Sequence, residues 1–406
     1  MSEPDLLSPA FDADPYSFYE TIREDYPLLP CPELQAHAVS RYADVAAALK
    51  AEGITSRNYE WMAEPIHGRT LLQMEGTEHS AYRRLVNPIF RGQFLYDNVA
   101  PVMKRRATDQ VREISTSGRV DLVSEFSNYY PVGVIVEILG LPEEDIPQWY
   151  DWYVVIVDFI TNFTQDPAII ERGVQAKADI TRYLDPHIEA RRSHPTEDLL
   201  SALCNAEIEG QRLRAEDIRG FCTLLLAAGG ETTAKSICLA MRNLIDHPEQ
   251  MKAVREDRSL VDAAFAESLR WTSPVVMIMR YVEAPMRLND LDLPGEHVLA
   301  LLLGAANRDP RGFKNADSFD LFRDDLDVGK AFGPAANHLT FAAGSRHYCV
   351  GSVLSQVEIN IALNALLDHM GDIRYAEGYV PEETGIWTRG LRSLDVEFEP
   401  LRPPAG

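Results

Sequence analysis

The sequence contains few cysteines and no regular cysteine spacing. Its 406 residues include five of them, Cys31, Cys204, Cys222, Cys238 and Cys349. Because the number is odd and the spacings form no pairs, the sequence does not indicate a disulfide framework. A few unpaired thiols are typical of a reducing compartment, so we expect a cytoplasmic protein.

Basic residues are also scarce. The 39 Lys and Arg residues are outnumbered by 62 Asp and Glu residues, which gives a net charge of -23. Such a chain is repelled by nucleic-acid phosphates and by anionic lipid, so we expect neither nucleic acid nor membrane as a partner. The segment from Met1 to Asp25 carries acids and prolines in place of a basic region followed by an apolar run, and no apolar run approaches the length of a membrane span.

Internal repeats, low-complexity tracts and linker-like segments are likewise missing. With 46% hydrophobic and 25% charged residues, the chain is typical of a folded protein. We therefore predict a single domain over residues 1–406 that is mainly α, with a β-rich portion at about 28–58, 279–303 and 372–400. Apolar spacing predicts helices at 18–24, 42–51, 79–90, 98–114, 128–139, 146–163, 174–193 and 352–370, and strands at 279–282, 286–293, 297–303 and 393–399. The segment 59–73 has no clean period and is interpreted as a loop.

The longest helical pattern runs from Asp217 to Asp246. Thirty helical residues would extend about 45 Å, enough to cross a whole domain. Near its middle stands Ala228-Gly-Gly-Glu-Thr-Thr233, in which each glycine costs about 1 kcal/mol relative to alanine. We expect a local loosening of the helix that places Glu231 and Thr232 beside a small ligand, as an acid and an alcohol for proton relay. The alternative is a kink that only accommodates a neighbouring element.

A single cysteine lies between glycines in Phe341-Ala-Ala-Gly-Ser-Arg-His-Tyr-Cys349-Val-Gly351, just ahead of the predicted helix at 352–370. Main-chain N–H groups of such a turn and the positive end of a helix favour a thiolate. A lone thiolate suits haem better than structural zinc, which needs four protein ligands. On this motif alone, a buried structural cysteine or a cysteine nucleophile paired with a remote histidine stays open.

Charged pairs at helical spacing supply further candidates. Glu267 and Arg270 lie three residues apart and can pair on one helix face, as many surface residues do. His79 and Arg83 lie four apart and could together bind an anionic group, as could Arg280 in a predicted strand. Solvated basic residues would show the same spacing.

The ordered set of these motifs resembles the cytochrome P-450 family, in particular its soluble bacterial members, over essentially the whole chain. Ala228-Gly-Gly-Glu-Thr-Thr233 looks like the family's oxygen-activation motif, and Glu267 with Arg270 matches its Glu-x-x-Arg. Ala306-Asn-Arg-Asp-Pro310 matches a further stretch, and the Cys349 loop follows at the expected place.

The resemblance implies the cytochrome P-450 fold, a large helical domain with a smaller β-rich portion, in which haem b (iron protoporphyrin IX) lies between the long central helix and the helix after the cysteine loop. It implies Cys349 as the iron ligand, the class of ligand that favours O–O cleavage. His79, Arg83, Arg280 and His347 would contact the haem propionates by the same resemblance. Glu231 and Thr232 would deliver protons to bound dioxygen.

Two departures from the family pattern stand out. Phe341 and Gly344 each lie one residue further from Cys349 than the family has them, which indicates a one-residue insertion. Arg346 could therefore flank the sulfur or point away, whereas His347 keeps its usual position. Ser318 stands where many members have an arginine that completes the network of Glu267 and Arg270, so this pair could be held differently here.

The function that the resemblance implies is a haem-thiolate monooxygenase that hydroxylates, epoxidises or couples a hydrophobic small molecule, such as a secondary-metabolite scaffold. The length leaves no room for a flavin or iron–sulfur domain, so a ferredoxin and its reductase would supply electrons. Lys104-Arg-Arg106 and Arg91 are candidate contacts for an acidic partner, although a solvated helix face explains them equally. The alternatives are a non-catalytic auxiliary protein of the same fold and a peroxide-driven peroxygenase.

Family analogy also predicts a substrate pocket, whose apolar, methionine-containing character favours a bulky hydrophobic molecule. Its predicted lining is Trp61, Leu72, Leu225, Ala228, Val275, Val276, Met277, Ile278 and Trp387.

Overall fold

Helices make up most of the structure. The computed structural model describes residues 3–208 and 210–401. The α-helices in these ranges are α1 (Pro9–Ala13), α2 (Tyr16–Asp25), α3 (Tyr42–Ala48), α4 (Tyr59–Met62), α5 (Glu64–His67), α6 (Gly76–Phe90), α7 (Ala100–Ile114), α8 (Tyr130–Ile138), α9 (Ile146–Ile160), α10 (Pro167–Ser193), α11 (Leu199–Asn205), α12 (Ala215–Asp246), α13 (Pro248–Glu256), α14 (Val261–Trp271), α15 (Leu303–Ala306), α16 (Val328–Ala331) and α17 (Ser352–His369). Short 3-10 turns at Pro32–Leu34, Glu143–Asp145 and Arg258–Leu260 and π turns at Leu95–Val99 and Val123–Ser127 join some of them.

The strands are short and form small sheets. They are β1 (Leu29–Cys31), β2 (Ala36–Val39), β3 (Ile54–Thr55), β4 (Arg119–Asp121), β5 (Glu207–Ile208), β6 (Gln211–Arg212), β7 (Ile278–Val282), β8 (Met286–Leu288), β9 (Leu291–Leu293), β10 (His297–Leu301), β11 (Met370–Tyr375), β12 (Glu383–Thr384), β13 (Gly390–Leu391) and β14 (Asp395–Pro400). The largest sheet has the order β1-β2-β10-β7-β3, and β11-β14-β4 forms a three-stranded sheet. Only the β2 and β10 pair of the first sheet is parallel.

The chain divides into two structural units. Unit 1 comprises Met1–Thr55, Met103–Ser127 and Thr232–Gly406, and unit 2 comprises Ser56–Val102 and Asn128–Glu231. The division passes through α12 between Glu231 and Thr232. Unit 1 therefore carries the main sheets and α17, and unit 2 carries mostly helices.

One face of the five-stranded sheet in unit 1 is covered by a hydrophobic core. Val39, Val282, Leu299 and Leu301 point to this face, together with leucines of the β8–β9 hairpin. All four are at most 1% exposed. Successive residues Leu299, Ala300 and Leu301 of β10 are all buried, so the opposite face of this strand is covered as well.

Local signals explain where several helices begin. The Ser8 hydroxyl accepts a hydrogen bond from the Phe11 N–H at the start of α1, and Asp166 and Asp198 cap α10 and α11 in the same way. A proline occupies the first turn of α13, where it leaves no helical hydrogen bond unmade.

The mainly α class, the long central helix and most predicted helices are confirmed within one to several residues of their ends. The predicted loop at 59–73 is wrong in part, because it contains the one-turn helices α4 and α5. The predicted strand at 286–293 is a hairpin, since Asn289 has a positive φ of 49° between β8 and β9. Short strand β4 was missed because its three residues carry too little pattern. Within the described residues, no helix combines the length and the apolar character needed to cross a membrane.

Candidate haem-thiolate site

Cys349 differs from the other four cysteines in its exposure. Its side chain is partly exposed, whereas the other four thiols are buried. Burial raises the pKa of Cys31 and of Cys238 to about 12, so these two thiols stay protonated at neutral pH. The reading of Cys349 as a buried structural cysteine is therefore not supported.

The chain positions Cys349 at the start of a long helix. Gly351 is the N-cap residue of α17, an 18-residue helix, so Cys349 lies two residues before its positive end. A Cβ atom added at Gly351 would lie 3.9 Å from the cysteine sulfur, so glycine at this position keeps side-chain bulk away from it. A helix N-terminus is a position at which cysteine ligands commonly occur, and the partly exposed sulfur is accessible there.

The cysteine loop is held by a main-chain hydrogen bond and contains two residues with positive φ. The Cys349 N–H donates to the Phe341 carbonyl at 3.0 Å, which closes the loop. Ala342 and Gly344 both adopt positive φ values, 54° and 79°, and the alanine carries the strain that this region imposes on a side chain. Arg346 is exposed and forms an ion pair with Glu52 at 3.7 Å, so its guanidinium points toward the surface of unit 1.

The donor set fits a haem iron. A porphyrin supplies four nitrogen ligands, so a haem iron needs one thiolate from the protein, and Cys349 can provide it. A structural zinc ion bound to Cys349 would need three further protein ligands, and no group of three or more His, Cys, Asp or Glu side chains that could hold a metal ion is found in ranges 3–208 and 210–401.

The basic residues predicted for the propionates lie on regular elements or in the cysteine loop. In unit 1, Arg280 on β7 is 6% exposed and donates to the Met279 carbonyl at 2.8 Å, and its guanidinium has further N–H groups available for a carboxylate. The His347 N–H donates to the Ser345 hydroxyl at 3.0 Å. In unit 2, His79 on α6 is 6% exposed and Arg83 follows one turn later.

Helix α12 remains α-helical through its paired glycines, so the predicted loosening is not seen. Gly229 packs closely against α8 in unit 2 instead, because a Cβ atom there would lie 3.3 Å from Ile135 Cδ1. A Cβ atom at Gly230 would lie 3.5 Å from Val132 Cγ2, an ordinary contact distance. The expectation failed because the helix accommodates both glycines without opening.

Glu231 and Thr232 follow the glycines directly. The Glu231 side chain is 8% exposed, and the Thr232 carbonyl accepts a hydrogen bond from the Ser236 hydroxyl at 2.7 Å. Burial, followed by the negative charge of Glu231, holds the pKa of Tyr153 well above its usual value. Tyr153 therefore stays a proton donor in the electrostatic field of this carboxylate. Sequence reasoning missed it, because nothing in the pattern of α9 distinguishes it from neighbouring aromatics.

Glu267 and Arg270 form a fully buried ion pair in unit 1. Both Arg270 Nε and Nη2 donate to the Glu267 carboxylate at 2.7 Å, and both side chains are 0% exposed. Ser318 stands where many family members have an arginine that contacts this pair. Here Arg323 makes that contact, with its Nε 3.2 Å from the Glu267 carboxylate. The Ser318 carbonyl accepts from Arg270 Nη2 at 2.9 Å.

Arg323 was a second residue that sequence reasoning missed. It is 5% exposed at its side chain and ion-pairs with Asp325 at 2.8 Å. Its only sequence signal is an arginine in the otherwise acidic and apolar segment Phe319-Asp-Leu-Phe-Arg-Asp-Asp325. That signal does not reveal a partner 56 residues away in the chain.

The predicted substrate-pocket residues fall in both units. In unit 1, the Trp387 carbonyl accepts from the N–H groups of Val276 and Met277 at 3.0 and 3.3 Å, and Val275 bridges to Thr388. This contact brings Trp387 together with the segment that contains Val275, Val276, Met277 and Ile278. Lys235 on α12 holds the same loop by donating to the Thr388 hydroxyl at 2.8 Å.

The predicted substrate-pocket residues in unit 2 differ widely in exposure. Trp61 is 50% exposed, Leu72 is partly buried and Ala228 is exposed, whereas Leu225 is 8% exposed.

Comparisons with known proteins agree with this geometry. The family model described as Cytochrome P450 matches residues 148–370. Pulcherriminic acid synthase of Bacillus subtilis is 36% identical, with 97% of each chain covered. Cytochrome P450 monooxygenase PikC of Streptomyces venezuelae is 30% identical, covering 97% of this chain and 93% of the relative.

Among solved structures, cytochrome P450 CYP109Q5 from Chondromyces apiculatus superposes with a TM-score of 0.86 at 27% identity, with 98% of each chain covered. At this coverage the match extends over both structural units. The expected fold is thus confirmed. This chain belongs to the cytochrome P450 family of haem-iron monooxygenases.

Proposed function

We propose that this enzyme is a ferredoxin-dependent haem-thiolate monooxygenase that binds haem b through Cys349 and oxidises a hydrophobic small molecule. The observation that carries the proposal is the accessible thiol at the N-terminal end of α17, in a chain whose other cysteines are buried. Bound haem supplies the dioxygen chemistry, with Cys349 donating electron density to the iron. Both structural units together would act as one cytochrome P450 domain in the cytoplasm.

The residues of the chain have distinct tasks in this proposal. Arg280 and His347 in unit 1, and His79 and Arg83 in unit 2, would hold the two propionates by charge-assisted hydrogen bonds. A buried cation such as Arg280 gains most from such a partner, because an unpaired buried charge is costly.

Proton delivery falls to Glu231 and Thr232. Hydroxylation or epoxidation consumes dioxygen, two protons and two electrons, inserts one oxygen atom into the substrate and releases the other as water, whereas coupling removes two hydrogen atoms from the substrate and releases both oxygen atoms as water. A buried carboxylate such as Glu231 can accept protons that come from solvent and pass them to an adjacent hydroxyl. Tyr153, a neutral donor in the field of Glu231, would help to orient that carboxylate.

The substrate is proposed to be a secondary-metabolite scaffold, to be hydroxylated, epoxidised or coupled. The support is the apolar segment 275–278 tied to Trp387, and the fact that one relative is named for the synthesis of pulcherriminic acid. Electrons would come from a ferredoxin and its reductase. Lys104 and Arg105 are exposed and suit an acidic partner, whereas Arg106 is 5% exposed and does not.

The carbon-monoxide difference spectrum of the reduced holoprotein tests the iron ligand. Wild-type protein should show the far-shifted Soret band that requires a thiolate on haem iron, and Cys349→Ala should lose it. Cys31→Ala is the matched control, since it removes a buried thiol of the same unit and should keep the band. A wild-type spectrum typical of histidine ligation, in protein with native circular dichroism, would overturn the assignment.

A second measurement tests proton delivery. With a ferredoxin and reductase supplied, Glu231→Gln and Thr232→Ala should each divert reducing equivalents to hydrogen peroxide, and product per NAD(P)H consumed should fall by about tenfold to a hundredfold. Turnover that needs only added peroxide and is unchanged in both variants would favour a peroxygenase instead.

A further inference from the structure

Two histidines meet on the five-stranded sheet of unit 1, outside the candidate haem site. His37 lies on β2 and His297 on β10, 260 residues later in the chain. His37 Nδ1 lies 2.6 Å from His297 Nε2, and the two ring centroids are 4.5 Å apart with the ring planes inclined at 58°. Both side chains are partly exposed, so solvent and small ions can reach them.

The sheet fixes the distance between these rings. Strands β2 and β10 run parallel, and His37 is paired with Leu299. His297 lies two residues before Leu299, so it points to the same face and neighbours His37 diagonally. On its other side, His297 is paired with Val282 of β7, in a ladder of five residue pairs. Because both strands are hydrogen-bonded on both sides, the backbone positions that carry the two imidazoles are fixed before any ligand arrives.

The His37 ring has the charge state that metal coordination needs. Burial, and then the neighbouring His297, lower the pKa of His37, so this imidazole is neutral at neutral pH. The short contact between the rings uses one N–H group and one lone pair. A neutral imidazole lone pair is a preferred ligand of zinc, copper and nickel ions.

We propose that His37 and His297 form a binding site for a divalent transition-metal ion of the nickel, copper or zinc class. His37 Nδ1 and His297 Nε2 each form one bond to the metal, and water completes its coordination. The proton between the rings moves through solvent to the other nitrogen of its own ring, so both imidazoles bind as neutral ligands and no oxidant or reductant is required.

The geometry requires only a small adjustment. Metal–nitrogen bonds of about 2.0 to 2.1 Å place two neighbouring ligand nitrogens about 3 Å apart. The present 2.6 Å separation therefore has to widen by a few tenths of an ångström, which rotation of the two side chains supplies without disturbing the strands. Val282 and Leu299, which are paired with His297 and His37, are buried on the same face and pack beside the rings.

Bound metal would join β2 to β10, and its two ligands lie 260 residues apart in the chain. Since the unfolded chain does not bring these two histidines together, the ion would bind the folded state preferentially and raise its stability. This inference is independent of the proposed monooxygenase function, because neither histidine belongs to the candidate haem site.

The test is a Ni²⁺ titration of tag-free holoprotein by isothermal calorimetry at pH 7.5, with unfolding temperature as the second measurement. Wild-type protein should bind one Ni²⁺ ion at this site and unfold at a higher temperature when Ni²⁺ is present. His37→Gln and His297→Gln should each weaken this binding by more than about tenfold and abolish the thermal shift. Glutamine keeps a hydrogen-bonding side chain in each case, so the sheet should still fold.

His194→Gln is the matched control, since it removes an exposed histidine at the end of α10 in unit 2 and should leave Ni²⁺ binding unchanged. Wild-type protein that binds no Ni²⁺ beyond the amount bound by the His37→Gln His297→Gln double variant would overturn the proposal. So would an equal loss of binding in His194→Gln.

Discussion

At the scale of single residues, buried ionisable groups make the sharpest predictions. Glu358 on α17 is 3% exposed, and its Oε1 atom has no hydrogen-bond partner among the described residues. Burial raises its pKa from 4.5 to about 8, so the folded protein holds this carboxyl neutral at pH 7. The unfolded chain releases the same proton near its ordinary pKa of 4.5.

Replacing Glu358 by glutamine should therefore stabilise the protein in a pH-dependent way. Between pH 4.5 and about 8 the folded state holds one more proton than the unfolded state, so wild-type stability falls as pH rises through this window. Glu358→Gln removes that loss. The free energy of unfolding of the variant, measured with denaturant, should therefore exceed that of the wild type by a few kcal/mol at pH 8. Glu256→Gln, at an exposed position, should show no such trend. A pH-independent difference for Glu358→Gln would contradict the buried neutral carboxyl.

His67 in unit 2 predicts a loss of stability at acid pH, in contrast to the loss at higher pH that Glu358 causes. It is 3% exposed, and its Nδ1–H donates to the Thr223 hydroxyl oxygen at 3.0 Å, since that hydroxyl donates to main-chain carbonyls. Burial, and then the charge of Lys177, lower the pKa of His67 to about 3. Between pH 6.5 and 3 the unfolded chain binds a proton at His67 that the folded protein does not bind. The free energy of unfolding therefore decreases as pH falls through this range.

Asparagine at position 67 can donate to Thr223 but cannot be protonated. His67→Asn should therefore flatten the acid limb of the stability curve and exceed the wild type by about 1 to 3 kcal/mol at pH 4, relative to the difference at pH 7.5. Denaturant titrations at several pH values measure this quantity, with His194→Asn as the exposed control. Parallel stability curves for wild type and His67→Asn would contradict this prediction, because they would mean that His67 is protonated as readily in the folded protein as in the unfolded chain.

The buried ion-pair network makes a third prediction at this scale. Arg323 shares the Glu267 carboxylate with Arg270, and its side chain is 5% exposed. Arg323→Met should cost about 3 kcal/mol of unfolding free energy, because it leaves part of a buried carboxylate without its cation. Arg374→Met, which breaks an exposed pair with Glu397, should cost less than about 1 kcal/mol. Equal losses in the two variants would mean that Arg323 is not part of the network.

At the scale of secondary structure elements, glycines show where helices approach closely. A Cβ atom at Gly173 of α10 would lie 2.3 Å from Phe159 Cδ2 of α9, whereas one at Gly230 of α12 would meet nothing closer than 3.5 Å. Both positions would gain about 1 kcal/mol of helix propensity from alanine. The distance to the neighbouring helix therefore decides whether alanine at each position raises or lowers the stability of the protein.

Gly173→Ala should destabilise the protein by about 1 to 3 kcal/mol, because the Phe159 ring has to move out of a packed position. Gly230→Ala should be neutral or stabilising by up to about 1 kcal/mol. Denaturant unfolding of the two variants compares them directly, and each serves as the control of the other. Loss of stability in Gly230→Ala equal to that in Gly173→Ala would contradict the packing distances.

At the scale of the whole molecule, charge dominates. The net charge of -23 and the isoelectric point of about 4.8 predict minimum solubility near pH 4.8 and mutual repulsion at neutral pH. They also predict no measurable binding to duplex DNA at physiological salt. Light scattering across pH and fluorescence anisotropy with labelled DNA measure the two properties. Tight binding to DNA that weakens steeply with salt would reveal a basic surface that the net charge conceals.

Much of the molecule could be predicted from sequence, because it depends on local spacing. Most helix positions follow from apolar periodicity, and Glu267 with Arg270 follows from a separation of three residues on one helix. The Cys349 loop and the Glu231-Thr232 pair stand out as contiguous motifs. Short strands such as β4 and the one-turn helices α4 and α5 could not be predicted, since a few residues carry no period.

Amino-acid sequence alone thus determined the helical class, the family motifs and the acidic charge, all of which are properties of neighbouring residues or of composition. Tertiary structure alone decided the partners that lie far apart in the chain. It placed Arg323 on Glu267, Arg346 near Glu52 and His37 beside His297. The physical reason is that hydrogen bonds and ion pairs act over a few ångströms in space, and only the folded backbone determines which distant residues come within that range.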